Sequence, residues 1–325
     1  MFKALLLQQE NGQTTAEIRT LSNQDLPAGE VTVEVEYSSL NYKDGLAVTG
    51  KGRIIREFPF VPGIDLAGTV IDSQDERFSK GDQVILTGWG VGERHWGGFS
   101  QRARVNADWL IPLPAGLTTR QAMIIGTAGL TAMLCVMTLE EAGVTPDAGR
   151  ILVTGASGGV GSLSVALLKQ LGHEVTAVTG RTTSTEYLLA LGADEIIPRT
   201  TLEQPAKPLE SQRWAGIIDT AGGAILARAL AETCYGGCVA VCGLAADYKL
   251  NTTVMPFILR NVSLRGVDSV QCPTSRRTIA WERLARLLPD PVYQQVAEEI
   301  SLDEVVDAAE RIMQGRIRGR VLVNL

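Results

Sequence analysis

Three glycines and an alanine are regularly spaced between an apolar segment and a helix-forming one. Residues 151–161 read ILVTGASGGVG, and the apolar stretch SLSVALLKQLG follows. The spacing is A-x-G-x-x-G across Ala156, Gly158 and Gly161, with Gly155 directly before it. A side chain at Gly158 would keep a diphosphate off the backbone, and Gly161 allows close helix–strand packing. The pattern predicts a strand–turn–helix that holds a dinucleotide on free N–H groups; the alternative is a glycine-rich turn without a ligand.

The residues about 20 positions beyond this turn choose between two dinucleotides. An NAD-selective site carries Asp or Glu there, which accepts a hydrogen bond from the ribose 2′-hydroxyl. This chain reads VTGRTT over 178–183, with Arg181 and no acid. A carboxylate repels a 2′-phosphate, whereas a guanidinium binds it with paired hydrogen bonds. The sequence therefore predicts NADPH as cofactor, unless Arg181 is only a solvated loop residue.

Composition narrows the class of protein. The chain has 325 residues and a formal net charge of −6, which disfavours a nucleic-acid-binding module. Its five cysteines are too few for a disulfide framework, and the N-terminal apolar run is too short for a signal peptide, so a cytoplasmic location is expected. The uncharged stretch 122–139 is rich in Gly and Thr, which favours a buried helix over a membrane span.

Two regions with different patterns must position these residues. Up to about residue 115, short segments with period-two alternation are separated by turn residues, which predicts a mainly β unit. From about 118, apolar strand-like runs alternate with helices, as in βαβ units with a parallel sheet. Residues 274–314 are predicted to be helical except at Pro289–Pro291. Residues 319–324 are predicted to form a strand that returns to the first unit.

Two motifs in the β region resemble a known superfamily. PGIDLAGTV (62–70) and GDQVILTG (81–88), ahead of a dinucleotide fold, resemble the medium-chain dehydrogenase/reductases over the whole chain. The resemblance implies an α/β protein with an N-terminal GroES-like β domain and a Rossmann domain with a doubly wound parallel sheet. The expected domains are 1–120, completed by about 295–325, and 121–294.

Many members of that superfamily bind zinc, but the ligand positions differ here. Asn41 stands where the family's first catalytic cysteine lies, and Ile64 stands in place of its histidine. No cysteine occurs over 1–134, so the structural zinc lobe is missing as well. Only two histidines are present, and His173 is expected at the surface, in a turn. Since zinc needs several closely placed N or S ligands, no metal site is predicted.

Longer matches resemble one zinc-free branch of the superfamily. The segments SSLNYKDGLAVTGKG, GWGVGERHWGG, MIIGTAGLTAMLCVM, YGGCVAVCGLA and VMPFILRNVSLRGVDS are similar to the acryloyl-CoA reductase group. That resemblance implies NADPH-dependent reduction of acryloyl-CoA to propanoyl-CoA. Two alternatives remain: a quinone or enone reductase on the same scaffold, and a nucleotide-sensing protein without turnover.

The resemblance also implies the site residues. Tyr42 is the predicted catalytic residue and cofactor contact, as proton donor or as a pocket wall, with water as the other proton source. Asn41 is predicted to be catalytic with it, although Asn41 and Asp44 are equally suited to fixing the local turn. The other expected cofactor contacts are Ser157, Gly158, Gly159, Val160, Thr179, Gly180, Arg181, Arg199, Leu244, Ile258 and Ser269. The alternative for Arg199 is that it is only a solvated charge in a loop.

Two expectations concern partners. A coenzyme A substrate needs cationic anchors, and Lys51, Arg53 and Arg56 cluster after the Asn41–Asp44 stretch. The apolar segment VMPFILRNVSLRGVD contains an edge-type strand, which predicts pairing with a second copy in a homodimer. Neither nucleic acid nor a membrane is expected as a partner.

Overall fold

The computed structural model describes residues 1–325 and forms two compact units. The first unit consists of residues 1–127, 270–285 and 297–325, and the second of residues 128–269 and 286–296. The chain first passes from the first unit to the second after Thr127, whereas the predicted domain boundary lies after residue 120. The assignment of a catalytic domain to 1–120 with 295–325, and of a cofactor domain to 121–294, stays a prediction.

The elements are numbered in chain order. The strands are β1 (Phe2–Glu10), β2 (Gln13–Leu21), β3 (Val31–Leu40), β4 (Asp65–Ser73), β5 (Gln83–Thr87), β6 (Arg102–Val105), β7 (Ile111–Pro112), β8 (Ile151–Val153), β9 (Val175–Thr179), β10 (Glu195–Pro198), β11 (Trp214–Asp219), β12 (Thr233–Val241), β13 (Ser263–Gly266), β14 (Ala297–Ser301) and β15 (Arg320–Asn324). The helices are α1 (Tyr42–Val48), α2 (Thr119–Glu141), α3 (Gly159–Gln170), α4 (Thr185–Ala190), α5 (Arg199–Leu202), α6 (Gly223–Ala231), α7 (Met255–Arg260), α8 (Thr274–Leu287), α9 (Asp290–Val296) and α10 (Val305–Met313).

The first unit is built around a mainly antiparallel sheet. Its strands follow the order β14-β15-β3-β4-β5-β7, with β6 paired to β3, and β1 and β2 form a separate hairpin. Val31, Val33 and Val35 alternate along β3 and pack into one buried cluster with residues of β4 and β5. Because β15 pairs antiparallel with β3, the predicted return of the last strand is confirmed.

The second unit is a parallel sheet with helices in its connections. The strand order is β10-β9-β8-β11-β12-β13, and every pairing is parallel. The order reverses between β8 and β11, which is the switch point where ligands bind at the carboxyl ends of such sheets. The predicted α/β class with a doubly wound sheet is therefore confirmed.

Two parts of the secondary structure differ from the sequence prediction. Residues 297–301, expected to be helical, form β14, which runs parallel to β15. Tertiary pairing overrides a pattern in which only Ile300 of the strand is buried. The hairpin β1–β2 was not predicted either, although Gln13–Leu21 alternates exposed and half-buried residues as a strand does.

The uncharged stretch lies in α2, where a buried helix was expected. This helix is long and apolar enough to span a membrane, but 94% of its most apolar window is buried inside the protein. It is interrupted at Gly126, whose φ of 51° and ψ of −159° are not helical. This backbone conformation is accessible almost only to glycine, and it has a consequence for the site described below.

Candidate functional site

The glycine turn of the second unit has the geometry that its spacing predicts. Gly155 adopts a left-handed φ of 58° between β8 and α3. A Cβ on Gly161 would lie 2.4 Å from the Gly155 carbonyl oxygen, so only glycine lets α3 pack this closely on the turn. By contrast, a Cβ on Gly158 would meet only that oxygen, at 3.4 Å. No other protein atom packs against this face of Gly158, so a ligand has room to approach the backbone there.

The start of α3 is suited to an anion. Gly158 is the N-cap residue of α3, so no side chain accepts a hydrogen bond from the first N–H groups of the helix. The first turn contains no acidic residue. The first N–H groups of a helix lack intrahelical partners and carry partial positive charge. The N–H groups at the start of α3, those of Gly159 and Val160, are therefore suited to an anion, whereas the Gly158 N–H donates to the Gly155 carbonyl at 3.0 Å. Contact of the diphosphate with Ser157, Gly158, Gly159 and Val160 stays a prediction.

The residues after β9 lie beside this turn. Thr179 Oγ1 donates a hydrogen bond to Ser157 Oγ at 3.2 Å and accepts one from the Arg181 backbone N–H at 3.1 Å. The Arg199 guanidinium packs on the same segment, because a Cβ on Gly180 would lie 3.2 Å from Arg199 Cζ. The Arg199 guanidinium thus lies against Gly180, and Arg181 follows that residue in the chain, although Arg199 also pairs with Glu203 at 2.9 Å. Partial burial lowers the pKa of the Arg181 guanidinium.

A buried carboxylate holds the neighbouring strand end. Asp219, the last residue of β11, accepts hydrogen bonds from Thr154 Oγ1 at 2.7 Å and from the Gly222 N–H at 2.8 Å. Burial raises the pKa of Asp219. Thr220 Oγ1 in turn donates to the Thr154 carbonyl at 3.0 Å. These bonds fix the backbone that leads into the glycine turn.

Two of the three remaining predicted cofactor contacts, Leu244 and Ser269, come shortly after the carboxyl ends of β12 and β13. Leu244 follows β12 and is 64% exposed, and Ser269 follows β13 and accepts a hydrogen bond from Thr131 Oγ1 at 2.9 Å. Ile258 lies on α7 and is 71% exposed. The roles of Leu244, Ile258 and Ser269 as cofactor contacts stay predictions.

The first unit contains a polar cluster centred on Asp65. This residue is fully buried, and its carboxylate accepts hydrogen bonds from Ser39 Oγ at 2.6 Å and from Asn41 Nδ2 at 2.8 Å. The backbone N–H of Thr127 donates to it at 2.9 Å, and the Thr127 hydroxyl donates to its other oxygen. Asp65 therefore joins β3, the start of α1 and the break in α2.

Arg320 of β15 completes this cluster. Its guanidinium donates to Ser39 Oγ at 2.8 Å, to Asn41 Oδ1 at 3.0 Å and to the Ile124 carbonyl at 2.9 Å. The ion pair with Asp65 is longer, at 3.8 Å. Burial lowers the pKa of Arg320, although Asp65 acts in the opposite direction. Four polar partners thus compensate a guanidinium that is 3% exposed.

The break in α2 at Gly126 makes room for this cluster. A Cβ on Gly126 would lie 2.5 Å from Arg320 Nη2, 2.6 Å from Asp65 Oδ2 and 2.7 Å from Ser39 Oγ. The left-handed φ of this residue also lets the next one, Thr127, turn its N–H towards Asp65. Glycine is therefore required here for both conformation and space.

The cluster sets the position of Tyr42, the first residue of α1. Asp44 accepts hydrogen bonds from the Asn41 N–H at 2.8 Å and from the Ile64 N–H at 3.0 Å, which fixes the helix start. Burial and the nearby Asp65 raise the pKa of Asp44 to about 7, against the lowering effect of these hydrogen bonds. Tyr42 itself is 50% exposed and makes no side-chain hydrogen bond.

Asn41 is committed within the protein. Its Nδ2 donates to the Asp65 carboxylate and, at 3.3 Å, to the Ser39 carbonyl. Its Oδ1 accepts a hydrogen bond from Arg320. Both amide hydrogens are therefore in use, which favours the alternative that Asn41 fixes the turn. The predicted catalytic role for Asn41 stays a prediction.

The donors at the family's zinc positions do not suit zinc. Asn41 and Ile64 replace two ligands, and the structure groups no three His, Cys, Asp or Glu side chains around one point. His95 binds the Arg104 carbonyl through Nε2 at 2.7 Å. His173 is 5% exposed, so its expected surface position was wrong; burial lowers the pKa of its ring.

Sequence reasoning missed the centre of the first unit's site. Asp65, Thr127 and Arg320 were not among the predicted site residues, and Gly126 was noted only as a small residue. The available signal was charge inside apolar strands, since Asp65 precedes LAGTV and Arg320 precedes VLV. An ionisable residue within a buried strand needs a partner, but the sequence does not say which one.

Comparison with known proteins finds two family models that match successive parts of the chain. The alcohol dehydrogenase GroES-like domain matches residues 27–115, and a family described as zinc-binding dehydrogenase matches residues 159–286. The first match lies within the unit that holds the Asp65 cluster, and the second begins at the start of α3.

Full-length relatives agree. The chain is 53% identical to the acrylyl-CoA reductase AcuI of Ruegeria pomeroyi over 328 residues, covering 100% of this chain and 99% of the relative. The yhdH oxidoreductase from Salmonella enterica, solved in complex with NADP, has a TM-score of 0.98, 57% identity and 99% coverage of both chains. The Bacillus subtilis protein yhfP, solved with NAD bound, has a TM-score of 0.97 and 45% identity, covering 100% of this chain and 99% of that one. The chain belongs to the medium-chain dehydrogenase/reductase family.

Proposed function

We propose that this protein is an NADPH-dependent oxidoreductase that reduces the carbon–carbon double bond of acryloyl-CoA to give propanoyl-CoA. The observation that carries the proposal is the 53% identity to an acrylyl-CoA reductase over the full length of both chains. The two sites support it chemically, since one offers donors to a dinucleotide and the other fixes an exposed phenol beside a buried polar network.

The residues after β9 support NADPH over NADH. Relatives of this fold have been solved with NADP and with NAD, so the scaffold alone does not select. In this chain the segment 178–183 holds no carboxylate, Arg181 follows Gly180, and the Arg199 guanidinium packs against Gly180. Guanidinium groups bind a 2′-phosphate and give NADH no equivalent advantage. The pyrophosphate is assigned to the Ser157–Val160 turn.

The proposed reaction needs little covalent chemistry from the protein. When bound, NADPH supplies a hydride for the β-carbon of the unsaturated thioester. Negative charge then develops on the thioester oxygen, where a positioned donor stabilises it, and a proton must reach the α-carbon. Tyr42 has a hydroxyl that the protein leaves unpaired and exposed, so it is available to donate to substrate or to contact the nicotinamide. Water remains the other source of the α-proton.

The buried network around Asp65 orients Tyr42 in this proposal. Asn41 links Asp65 and Arg320 immediately before Tyr42, and Asp44 caps the helix that Tyr42 begins. We therefore assign Asn41 and Asp44 to positioning and Tyr42 to contact with the reactants. Fixed placement of a donor is worth more to catalysis than its mere presence.

The same residues favour a reaction without zinc. The family's cysteine and histidine ligands are replaced by Asn41 and Ile64, and an aliphatic side chain cannot bind a metal. Asn41 is in addition held by Asp65 and Arg320. We propose that no zinc takes part, which metal analysis of the active protein tests directly.

We also propose a cytoplasmic homodimer. All five cysteines are free thiols, as suits a reducing compartment. Strand β13 forms one edge of the parallel sheet, and Val254, Ile258 and Leu259 nearby are 65%, 71% and 55% exposed. Exposed apolar groups beside an unpaired strand edge favour association with a second copy. Light scattering that gives a monomer at all concentrations contradicts the dimer.

One assay tests the activity. Purified protein is given NADPH with acryloyl-CoA, with a simple quinone and with a free enone, and NADPH oxidation is followed together with propanoyl-CoA formation. We expect the highest kcat/KM with acryloyl-CoA. Faster turnover of the quinone or enone supports the reductase alternative instead. Tight NADPH binding without turnover of any acceptor supports a sensor and overturns the proposal.

A further inference from the structure

Exposed cations follow α1 in the first unit. Lys51, Arg53 and Arg56 lie within six residues, but the structure distinguishes them. Lys51 Nζ lies 2.6 Å from Glu310 Oε2, so its charge is compensated. Arg53 and Arg56 are exposed and form no ion pair and no side-chain hydrogen bond, even though Glu57 follows directly. Two uncompensated guanidinium groups are therefore presented to solvent.

The backbone that carries these arginines is fixed. Ile55, which lies between them, is 6% exposed and packs in the core cluster of the first unit. The N–H of Ile54 donates to the Gly52 carbonyl at 2.8 Å, and the N–H of Gly52 donates to the Leu46 carbonyl at 3.3 Å. The buried Ile55 fixes the backbone of both flanking arginines, so an anion that binds them orders only their side chains and not the chain that carries them.

The distance from Tyr42 is suited to a long substrate. Helix α1 has seven residues and is therefore about 10 Å long, and the arginine segment follows its end and folds back to Leu46. The pantetheine arm of coenzyme A is about as long as four residues of extended chain, roughly 14 Å, between its sulfur and its first phosphate. A thioester held at Tyr42 therefore has enough reach to place its phosphates past the end of α1.

We propose that Arg53 and Arg56 bind the phosphate groups of the coenzyme A half of the substrate. This inference rests on the proposed acryloyl-CoA reduction. Guanidinium groups form charge-assisted, often bidentate hydrogen bonds with phosphate, and these two have no competing partner in the protein. Lys51 is not assigned to the site, because its charge is already paired with Glu310 at 2.6 Å. The subsite selects thioesters of coenzyme A over thioesters or enones that lack a nucleotide.

The test compares two substrates that differ only in the nucleotide. Acryloyl-CoA and acryloyl-pantetheine share the reacting group, but the second has no phosphate. The variants are R53Q/R56Q and, as matched control, K51Q, which removes a charge from the same segment. We expect the double variant to raise the KM for acryloyl-CoA about tenfold or more and to leave kcat/KM for acryloyl-pantetheine unchanged. K51Q should behave as wild type with both substrates.

The outcomes separate this inference from the proposed function. An unchanged KM for acryloyl-CoA in R53Q/R56Q overturns the phosphate subsite, while wild-type turnover of acryloyl-CoA still supports the function. Equal losses with both substrates also overturn it, because the arginines then act on the reacting end or on folding. Wild-type protein that reduces neither thioester refutes the function itself. Thermal unfolding of each variant, expected at the wild-type temperature because both arginines are exposed, checks the fold.

Discussion

Asn41 Nδ2 donates a hydrogen bond to Asp65 Oδ2 at 2.8 Å, and this bond connects the start of α1 to the buried centre of the first unit. Arg320 Nη1 donates a hydrogen bond to Oδ1 of the same amide at 3.0 Å. A single side chain thus transmits the position of a buried ion pair to the residue that follows it, Tyr42. Changes to this network should therefore alter the free energy of unfolding, and changes to Tyr42 should alter the rate of turnover.

Removing Arg320 should destabilise the fold. The variant R320M leaves the Asp65 carboxylate buried without its cation, and loss of one partner of a buried pair costs about 3–5 kcal/mol. We expect the free energy of unfolding in urea to fall by at least about 2 kcal/mol, since Ser39, Asn41 and Thr127 still bind Asp65. The exposed control R316M should stay within about 0.5 kcal/mol of wild type. A stable R320M would show that the pair is dispensable.

A methyl group at Gly126 should be more harmful than one at another left-handed glycine. In G126A the new Cβ meets Arg320, Asp65 and Ser39 within 2.7 Å. Gly116 has a φ of 90° and no heavy atom within 4 Å of an added Cβ, so G116A tests left-handed strain alone. We expect about 1–2 kcal/mol for G116A and clearly more for G126A in chemical denaturation. If G126A and G116A lose the same free energy of unfolding, the side chains of the Asp65 cluster move aside at little cost.

The hydroxyl of Tyr42 should matter for turnover and not for folding. It is half exposed and bonds to no protein group, so Y42F should keep the wild-type free energy of unfolding within about 0.5 kcal/mol. If it donates to the substrate, kcat with acryloyl-CoA should fall about a hundredfold. We expect that loss in stopped-flow and steady-state assays. Unchanged kcat removes the donor role and leaves Tyr42 as a pocket wall.

The glycine turn could be predicted because its determinants are local. Gly155, Gly158 and Gly161 lie within seven residues, between a strand and a helix that each have a clear period. The Asp65–Arg320 pair is different, because β4 and β15 come together only through β3. No local pattern marks such a partner, so the sequence identified Asn41 and Asp44 but not the carboxylate that organises them.

Two misjudged positions show the same limit. His173 stands in a turn, where exposure is the usual outcome, but packing of the second unit buries it. Ala297–Ser301 lacks a strong strand pattern and forms β14 because β15 offers a free edge. In both cases the deciding neighbour is distant in sequence, and composition or periodicity cannot supply it.

Asp44 should make stability depend on pH. Its pKa is raised to about 7 in the folded state, against an ordinary value of 3.8, so between these values the folded protein binds more protons than the unfolded chain. Stability from this group is complete below about pH 4 and is lost as the pH rises through 7. Carboxylates with lowered pKa values, such as Asp75, change stability in the opposite direction.

The variant D44N isolates this contribution. We expect the free energy of unfolding of wild type to fall more steeply between pH 5 and pH 8 than that of D44N, when both are measured in urea. The control D303N changes an exposed carboxyl group that lies outside the Asp65 cluster. Parallel pH profiles for wild type and D44N would mean that the hydrogen bonds from Asn41 and Ile64 keep Asp44 ionised throughout.

Arg181 should decide between the two nicotinamide cofactors. Under the proposed assignment, R181Q removes a guanidinium that binds the 2′-phosphate and leaves unchanged the Ser157–Val160 turn proposed to bind the pyrophosphate. We expect the KM for NADPH to rise about tenfold and the KM for NADH to stay the same, because charge-assisted hydrogen bonds contribute about 1.5–3 kcal/mol. R286Q removes an exposed arginine from the same chain and serves as control. If R181Q weakens both cofactors equally, the guanidinium supports the loop after β9 and does not read the phosphate; if it weakens neither, Arg199 alone accounts for the preference.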